Sequence, residues 1–166
     1  MIVEMATSLL GSLSMRYVIG QPELGQSPET GFDCSGFAKY VLSQVGLYIP
    51  DYIGMDGARR PIRHANEFWD YYGVMTENQP EPGDLIFFSR KGIIPTHMGI
   101  VRDQGSYIHA PGNDDSEVRI DEIKIEAIEP EDGTSRILYI ANPIGFKVPT
   151  RQSDSPTYRH HQQLLE

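Results

Sequence analysis

The stretch that decides the fold is Phe32-Asp33-Cys34-Ser35-Gly36-Phe37, which contains the only cysteine of the 166-residue chain. It opens a run from Asp33 to Val45 in which apolar residues recur at spacings of three and four, the pattern of an amphipathic helix. Asp33 stands where an N-cap is expected and Gly46 where a helix stops. Cys34 is therefore predicted in the first helical turn, where unpaired N–H groups and the positive end of the helix dipole converge.

A cysteine in that position can act as a nucleophile. The free N–H groups and the helix dipole both favour thiolate over thiol, so a cysteine in this place can have a depressed pKa. The same N–H groups can form part of an oxyanion hole. Free cysteine is also often a small buried hydrophobe, and the position alone leaves both interpretations open.

Helical patterns come first in the chain and strand-like patterns follow. Residues 1–15 have apolar residues at helical spacing, and a further helix is predicted over Ile62–Tyr72. Beyond the turn Pro82-Gly83-Asp84, short strands are predicted at Leu85–Phe88, Met98–Val101, Tyr107–Ile108, Val118–Ile120 and Arg136–Ile140. This order predicts an α+β fold, with N-terminal helices packed on a five- to six-stranded antiparallel sheet. We expect one domain over residues 1–145 and a polar tail over 146–166.

Two histidines are expected to meet at one edge of that sheet. His97 begins a predicted strand and His109 ends the next one. In an antiparallel hairpin the start of one strand lies beside the end of its neighbour. Each histidine alone is more often structural, but their convergence beside a helix-cap cysteine favours catalysis. His97 would take the proton of the Cys34 thiol, and His109 would orient the ring of His97.

The charge of the chain bears on its partners. The formal charge is −9, from 14 basic and 23 acidic residues, so neither nucleic acid nor a membrane surface is an expected partner. Nine acidic residues lie between Asp114 and Asp132, against Arg119 and Lys124. This acidic segment is expected to be a solvated surface, with a rim for cationic substrates as the alternative.

The lone cysteine excludes an intramolecular disulfide and a multi-cysteine zinc site. A zinc site built from His97, His109 and a carboxylate ranks well below cysteine catalysis, so we predict no metal and no cofactor. The first residues have no basic segment of the kind that opens a signal peptide. We expect either a cytoplasmic protein or a domain of an exported bacterial protein, and the oligomeric state is open.

Four blocks of sequence together resemble the NlpC-type family of cell-wall cysteine peptidases. The blocks are FDCSGF at 32–37, PGDLIFF at 82–88, HMGIV at 97–101 and YIHAPG at 107–112, followed by VRI at 118–120. Their order and spacing are similar to that family over roughly residues 16–140. The resemblance implies a permuted papain-like fold and a Cys-His-His arrangement of Cys34, His97 and His109.

The resemblance also implies substrate contacts and a reaction. Tyr17 lies in a Tyr-x-x-Gly block and would help line the oxyanion site, while Asp33 and Ser35 would hold the amino end of the substrate. The substrate would be a peptidoglycan stem peptide, or a muropeptide derived from it, cut next to D-glutamate. The family often has Pro-Arg after the cysteine helix, where this chain has Pro50-Asp51.

Two other functions are kept as alternatives. The same thiol chemistry suits an acyltransferase or amidase acting on a substrate outside the wall. A binding module with a degenerate site is disfavoured, because the Cys-His-His set is complete in the sequence.

Overall fold

The computed structural model describes residues 1–76, 79–89, 94–124 and 145–149, and within them it has three helices and twelve strands. The helices are α1 (Ile2–Ser8), α2 (Cys34–Gln44) and α3 (Ala65–Tyr71). The strands are β1 (Leu13–Ser14), β2 (Gln26–Ser27), β3 (Gly31–Phe32), β4 (Tyr52–Ile53), β5 (Arg59–Arg60), β6 (Val74–Thr76), β7 (Leu85–Phe88), β8 (His97–Asp103), β9 (Ser106–His109), β10 (Ser116–Glu117), β11 (Arg119–Glu122) and β12 (Gly145–Val148). The strand predicted at Arg136–Ile140 lies outside the described residues.

The main sheet has six antiparallel strands in the order β11-β9-β8-β7-β12-β6. This arrangement confirms the predicted α+β fold class and its antiparallel sheet. Four short strands form a second sheet in the order β10-β1-β3-β2, and β4 and β5 form a hairpin. Three of its four interior strands, β7, β8 and β9, come from the segments that contain the PGDLIFF, HMGIV and YIHAPG blocks.

Strand β12 differs from the sequence prediction. It contains Phe146–Val148, which the composition assigned to the polar tail, yet it lies between β7 and β6. Lys147 is buried there because its Nζ donates hydrogen bonds to the backbone oxygens of Phe68 (3.3 Å) and Trp69 (2.6 Å) at the end of α3. The polar composition did not predict this strand, because the hydrogen-bond acceptors that allow Lys147 to be buried lie on α3, which is distant in sequence. The remainder of the predicted tail, from residue 150 onward, lies outside the described residues.

The helices cover one face of the main sheet. Apolar side chains of α2 are fully buried in a core that also contains alternate residues of the central strands, namely Leu85, Phe87, Met98, Ile100 and Ile108. The intervening residues Ile86, Phe88, Val101 and Tyr107 form a second cluster on the opposite face. Burying a Leu or Phe side chain contributes about 1.5–3 kcal/mol, so this packing holds α2 against β8.

Helix α2 begins at Cys34, as its capping pattern predicts. Asp33 is the N-cap in extended conformation, and its Oδ1 accepts a hydrogen bond of 2.8 Å from the N–H of Gly36. The helix ends at Gln44, and Gly46 follows with a φ of +80°. The predicted helix over Ile62–Tyr72 is shorter, Ala65–Tyr71, because His64 is its extended N-cap.

A buried arginine fastens the start of α2 to the loop that precedes it. Arg63 donates to the backbone oxygens of Pro22 and Leu24, each at 2.8 Å. It also donates to both carboxylate oxygens of Asp33 and to the hydroxyl of Ser35 at 3.1 Å. These five contacts match the five N–H groups of a guanidinium, so the hydrogen-bonding capacity of Arg63 is filled. We call this set of contacts the Arg63 clamp.

We predict that removing the Arg63 clamp destabilises the fold strongly. Arg63→Met leaves the Asp33 carboxylate buried without its charged partner, which should lower the free energy of unfolding by about 3–5 kcal/mol. The matched control is Arg60→Met, since Arg60 makes an exposed two-bond pair with Asp56 at 2.6 and 2.8 Å. Urea denaturation should show a clear loss for the first variant and little change for the second. Equal losses in the two variants would contradict a special role for the clamp.

Candidate active site

The sulfur of Cys34 lies against the start of strand β8. The backbone N–H groups of Met98 and Ser35 are hydrogen-bond donors to its thiol. Met98 directly follows His97 in the chain, so the contact brings the cysteine to the strand end that contains the predicted base. The structure therefore brings Cys34 and His97 into one neighbourhood, as the sequence pattern predicts, while their catalytic roles remain predictions.

The ionisation of Cys34 differs from the expectation drawn from its helix position. Burial of the thiol, with a smaller contribution from the Asp33 carboxylate, raises its pKa to about 11. The N–H groups of Met98 and Ser35 and the Arg63 guanidinium act in the opposite direction but do not outweigh these effects. At neutral pH the group is therefore a thiol, and the depression of the pKa that its helix position allows is not found. Desolvation of the sulfur dominates over the dipole of the helix.

The two histidines meet as the antiparallel register predicts. The Nε2 of His97 and the Nδ1 of His109 are 2.7 Å apart, and the rings are nearly perpendicular at 82°. His97 is the first residue of β8 and His109 is the last of β9, two strands that pair antiparallel. A hydrogen bond occupies one nitrogen of His97, which leaves its Nδ1 as the nitrogen that can accept a proton from a thiol.

Aromatic rings and a glycine shape the space around the histidines. Phe88 lies 5.8 Å from the ring of His97, and Tyr107 lies 4.6 Å from the ring of His109, measured between centroids. A Cβ on Gly99 would lie 2.9 Å from Cδ2 of Tyr107 and 3.1 Å from Cβ of His109, so only glycine leaves these rings undisturbed. Both histidines are buried, and desolvation lowers the pKa of each. They are neutral imidazoles at physiological pH.

A carboxylate that the sequence analysis did not select extends this chain of hydrogen bonds. The Nε2 of His109 lies 2.7 Å from Oδ2 of Asp121, and the same oxygen accepts from Nε of Arg119 at 3.0 Å. The hydrogen bond with His109 lowers the pKa of Asp121, which is therefore ionised. Asp121 was hidden among the nine acids of the acidic segment. Its separation of twelve residues from His109, equal to that between His97 and His109, was a usable signal.

The ring of Tyr17 contacts the imidazole of His64 and the guanidinium of Arg63. Its ring meets that of His64 edge-on with centroids 4.6 Å apart, and the guanidinium of Arg63 is 5.1 Å from its centre. These contacts tie the segment around Tyr17 to the Arg63 clamp. Its role as an oxyanion donor stays a prediction.

Asp33 and Ser35 are engaged by the protein itself. Both carboxylate oxygens of Asp33 and the hydroxyl of Ser35 accept hydrogen bonds from Arg63. Their role in holding the amino end of a substrate stays a prediction, and the contacts with Arg63 and with the N–H of Gly36 give Asp33 a structural role as well. Asp51 occupies the position after the cysteine helix where the NlpC-type family often has an arginine. In this structure the arginine that contacts the start of the cysteine helix is Arg63, which lies farther along the chain.

The described residues contain neither a metal-binding group nor a helix that could span a membrane. None of their histidine, cysteine and carboxylate side chains form a group of three or more arranged to hold a metal ion. Among the described helices, none has the length and apolar character needed to cross a bilayer.

Several curated proteins are similar in sequence to this chain. The Gamma-DL-glutamyl hydrolase of Bacillus subtilis strain 168 is 32% identical over 116 residues, which are 66% of this chain and 23% of that protein. The Probable endopeptidase p60 of Listeria innocua serovar 6a is 36% identical over 89 residues, 54% of this chain and 16% of the relative. The Probable endopeptidase YafL of Escherichia coli K12 is 33% identical over 100 residues, 56% of this chain and 35% of the relative. The chain thus spans about a third or less of the length of these relatives.

Solved structures and a family model are also similar to this chain. The NlpC/p60 domain of the peptidoglycan hydrolase SagA matches with a TM-score of 0.51 and 26% identity, over 90% of this chain and 96% of that domain. An NlpC/P60 family protein from Bacillus cereus ATCC 10987 has the same fold, with a TM-score of 0.59 and 23% identity over 88% of this chain and 38% of that one. The NlpC/P60 family model matches residues 16–132, more than half of the chain. The resemblance seen in the sequence is confirmed, and the chain belongs to the NlpC/P60 family.

Proposed function

We propose that this protein is a cysteine endopeptidase that hydrolyses an amide bond of peptidoglycan stem peptides next to D-glutamate. The observation that carries the proposal is the contact of the Cys34 sulfur with the amide of Met98, the residue that follows His97, whose ring is hydrogen-bonded to His109. Family membership supports the reaction class, since relatives of this chain are named as endopeptidases and as a Gamma-DL-glutamyl hydrolase.

The first half of the reaction forms an acyl-enzyme. As the sulfur of Cys34 attacks the carbonyl carbon, its proton passes to Nδ1 of His97, because Nε2 is bonded to His109. The carbonyl oxygen becomes an oxyanion that accepts a hydrogen bond from the first-turn N–H of Cys34, with the hydroxyl of Tyr17 as the second donor. Collapse of the intermediate breaks the C–N bond, and His97 gives its proton to the leaving amine.

The second half restores the enzyme. Water gives a proton to Nδ1 of His97 while its oxygen attacks the thioester carbonyl. The tetrahedral intermediate then expels the sulfur of Cys34, which takes the proton back from His97. Both halves need a neutral imidazole at the start, and the lowered pKa of His97 supplies it down to pH values below 6.5.

An acyltransferase would use the same thioester and differ only in its acceptor. Intact-mass analysis of the products separates the two, because hydrolysis adds water to the acyl group and transfer adds an amine or alcohol. A transferred acyl group in place of the free acid would favour the acyltransferase.

We predict that Cys34→Ala and His97→Ala each abolish cleavage of stem peptides. The loss should exceed about 10³-fold, since the nucleophile and its base act as a unit. The measurement is mass spectrometry of purified sacculi and isolated stem peptides after incubation. Ser43→Ala, which removes an exposed hydroxyl from the same helix, is the matched control and should remain active. Full activity in either active-site variant would end the proposal.

We predict that the thiol of Cys34 ionises only at alkaline pH. Since its pKa is raised to about 11, the rate of alkylation by iodoacetamide should rise about tenfold for each pH unit from 7 to 9.5. Glutathione, with an ordinary thiol, should begin to level off within this range. The lone cysteine makes the mass of the labelled protein a direct readout. A plateau in the protein below pH 8 would instead indicate a resting thiolate.

A further inference from the structure

The hydrogen-bonded chain at the active site crosses three neighbouring strands. It begins at His97 on β8, passes through His109 on β9 and ends at Asp121 on β11, with both links 2.7 Å long. His109 is fully buried, whereas one third of the Asp121 side chain is exposed. The chain therefore connects a buried base to a charged group at the surface.

Strand register accounts for the second link. Asp121 is directly opposite Tyr107, and Arg119 is directly opposite His109, in the antiparallel pair of β11 and β9. Residues two apart on a strand share a face, so Asp121 and His109 are diagonal neighbours on the same face. The contact is a consequence of the sheet itself and does not depend on a flexible loop.

We propose that Asp121 is a positioning residue, which fixes the tautomer of His109 and, through it, that of His97. The inference rests on the proposed cysteine peptidase function and deepens it. Asp121 contacts neither the thiol nor the bond to be cut, and acts through two imidazole rings.

The ionised carboxylate of Asp121 determines the tautomer of His109, which in turn determines that of His97. An ionised carboxylate can only accept, so Nε2 of His109 must carry the hydrogen in its bond to Asp121. A neutral His109 then has a lone pair on Nδ1 and accepts from Nε2 of His97. A neutral His97 that donates from Nε2 has its lone pair on Nδ1, the nitrogen that receives the thiol proton. Without the carboxylate, both rings are free to adopt the opposite tautomer, in which Nδ1 of His97 carries a hydrogen and cannot act as a base.

The charged and titratable groups around the hydrogen-bonded chain determine the direction in which the pKa values of the two histidines shift. Asp121 raises the pKa of both His97 and His109, whereas Arg119 on the same strand lowers both. Tyr107 faces Asp121 from β9, and its own raised pKa keeps it neutral across the working range. Removal of the Asp121 charge should therefore shift the acid limb of the kcat/KM profile to lower pH, and removal of the Arg119 charge should shift it to higher pH.

The test compares Asp121→Asn, Arg119→Gln and Glu122→Gln in the otherwise complete chain. Asp121→Asn should lower kcat at least about tenfold, leave KM unchanged, and move the acid limb downward. Arg119→Gln should move that limb upward. Glu122→Gln removes an exposed carboxylate from the next position on the strand and should change neither kcat nor the limb. Asp121→Glu, which keeps the charge, should recover part of the lost activity.

A measurement without substrate separates this inference from the proposed function. Nitrogen-15 NMR of the imidazoles should show the Nε2–H tautomer for His97 and His109 in the wild type, and a mixture in Asp121→Asn. A wild type that cleaves no stem peptide would refute the proposed function, and the tautomers would still decide the role of Asp121. Wild-type tautomers and pH limb in a folded Asp121→Asn would overturn the inference. If that variant does not fold, the wild-type tautomers decide, since an Nδ1–H tautomer of His109 would contradict the inference.

Discussion

The contact between the first residue of α2 and the first residues of β8 determines the geometry of the whole site. The amide of Met98 donates to the sulfur of Cys34, and His97 is the neighbouring residue on the same strand. Any shift of the helix along the sheet would separate Cys34 from both Met98 and His97. Two independent features prevent that shift: apolar side chains of α2 packed on the sheet, and the Arg63 clamp at its N-terminus. The clamp confines the end of the helix, where side-chain packing alone would allow fraying.

The charged side chains of this site form one pair at each end of it, and the groups between the two pairs are neutral. Arg63 pairs with Asp33 behind the cysteine, and Arg119 pairs with Asp121 beyond the second histidine. Between them the thiol and both imidazoles are neutral, because burial opposes their charged forms. In the proposed mechanism, charge separation arises only while the substrate reacts, when the Asp121 carboxylate can stabilise an imidazolium through His109. The site is arranged to stabilise a transient charge pair and does not maintain a resting one.

Local patterns in the sequence were enough to predict the elements that carry the chemistry. The cap at Asp33 gave the start of α2, and the antiparallel pairing of neighbouring strands brought His97 to His109. Three features were out of reach because they depend on distant contacts. Arg63 joins α2 from thirty residues along the chain, β12 inserts between strands that precede it by some sixty to seventy residues, and the pKa of Cys34 follows from how fully the folded protein encloses its sulfur. Asp121 differs, since strand register alone could have selected it from the acidic segment.

The Arg63 clamp also affects how Asp33 can contact a substrate. A substrate ammonium group bound by Asp33 would share the carboxylate oxygens with Arg63, and it could not displace the guanidinium without breaking a buried charged pair. Breaking a buried charged pair costs about 3–5 kcal/mol, whereas an ion pair at the rim of a cleft returns about 1 kcal/mol or less. Asp33 is therefore better suited to hold the helix than to read the amino end of a peptide. In the proposed mechanism α2, β8, β9 and β11 supply the reacting groups, and Asp33 holds the start of the helix that contains Cys34.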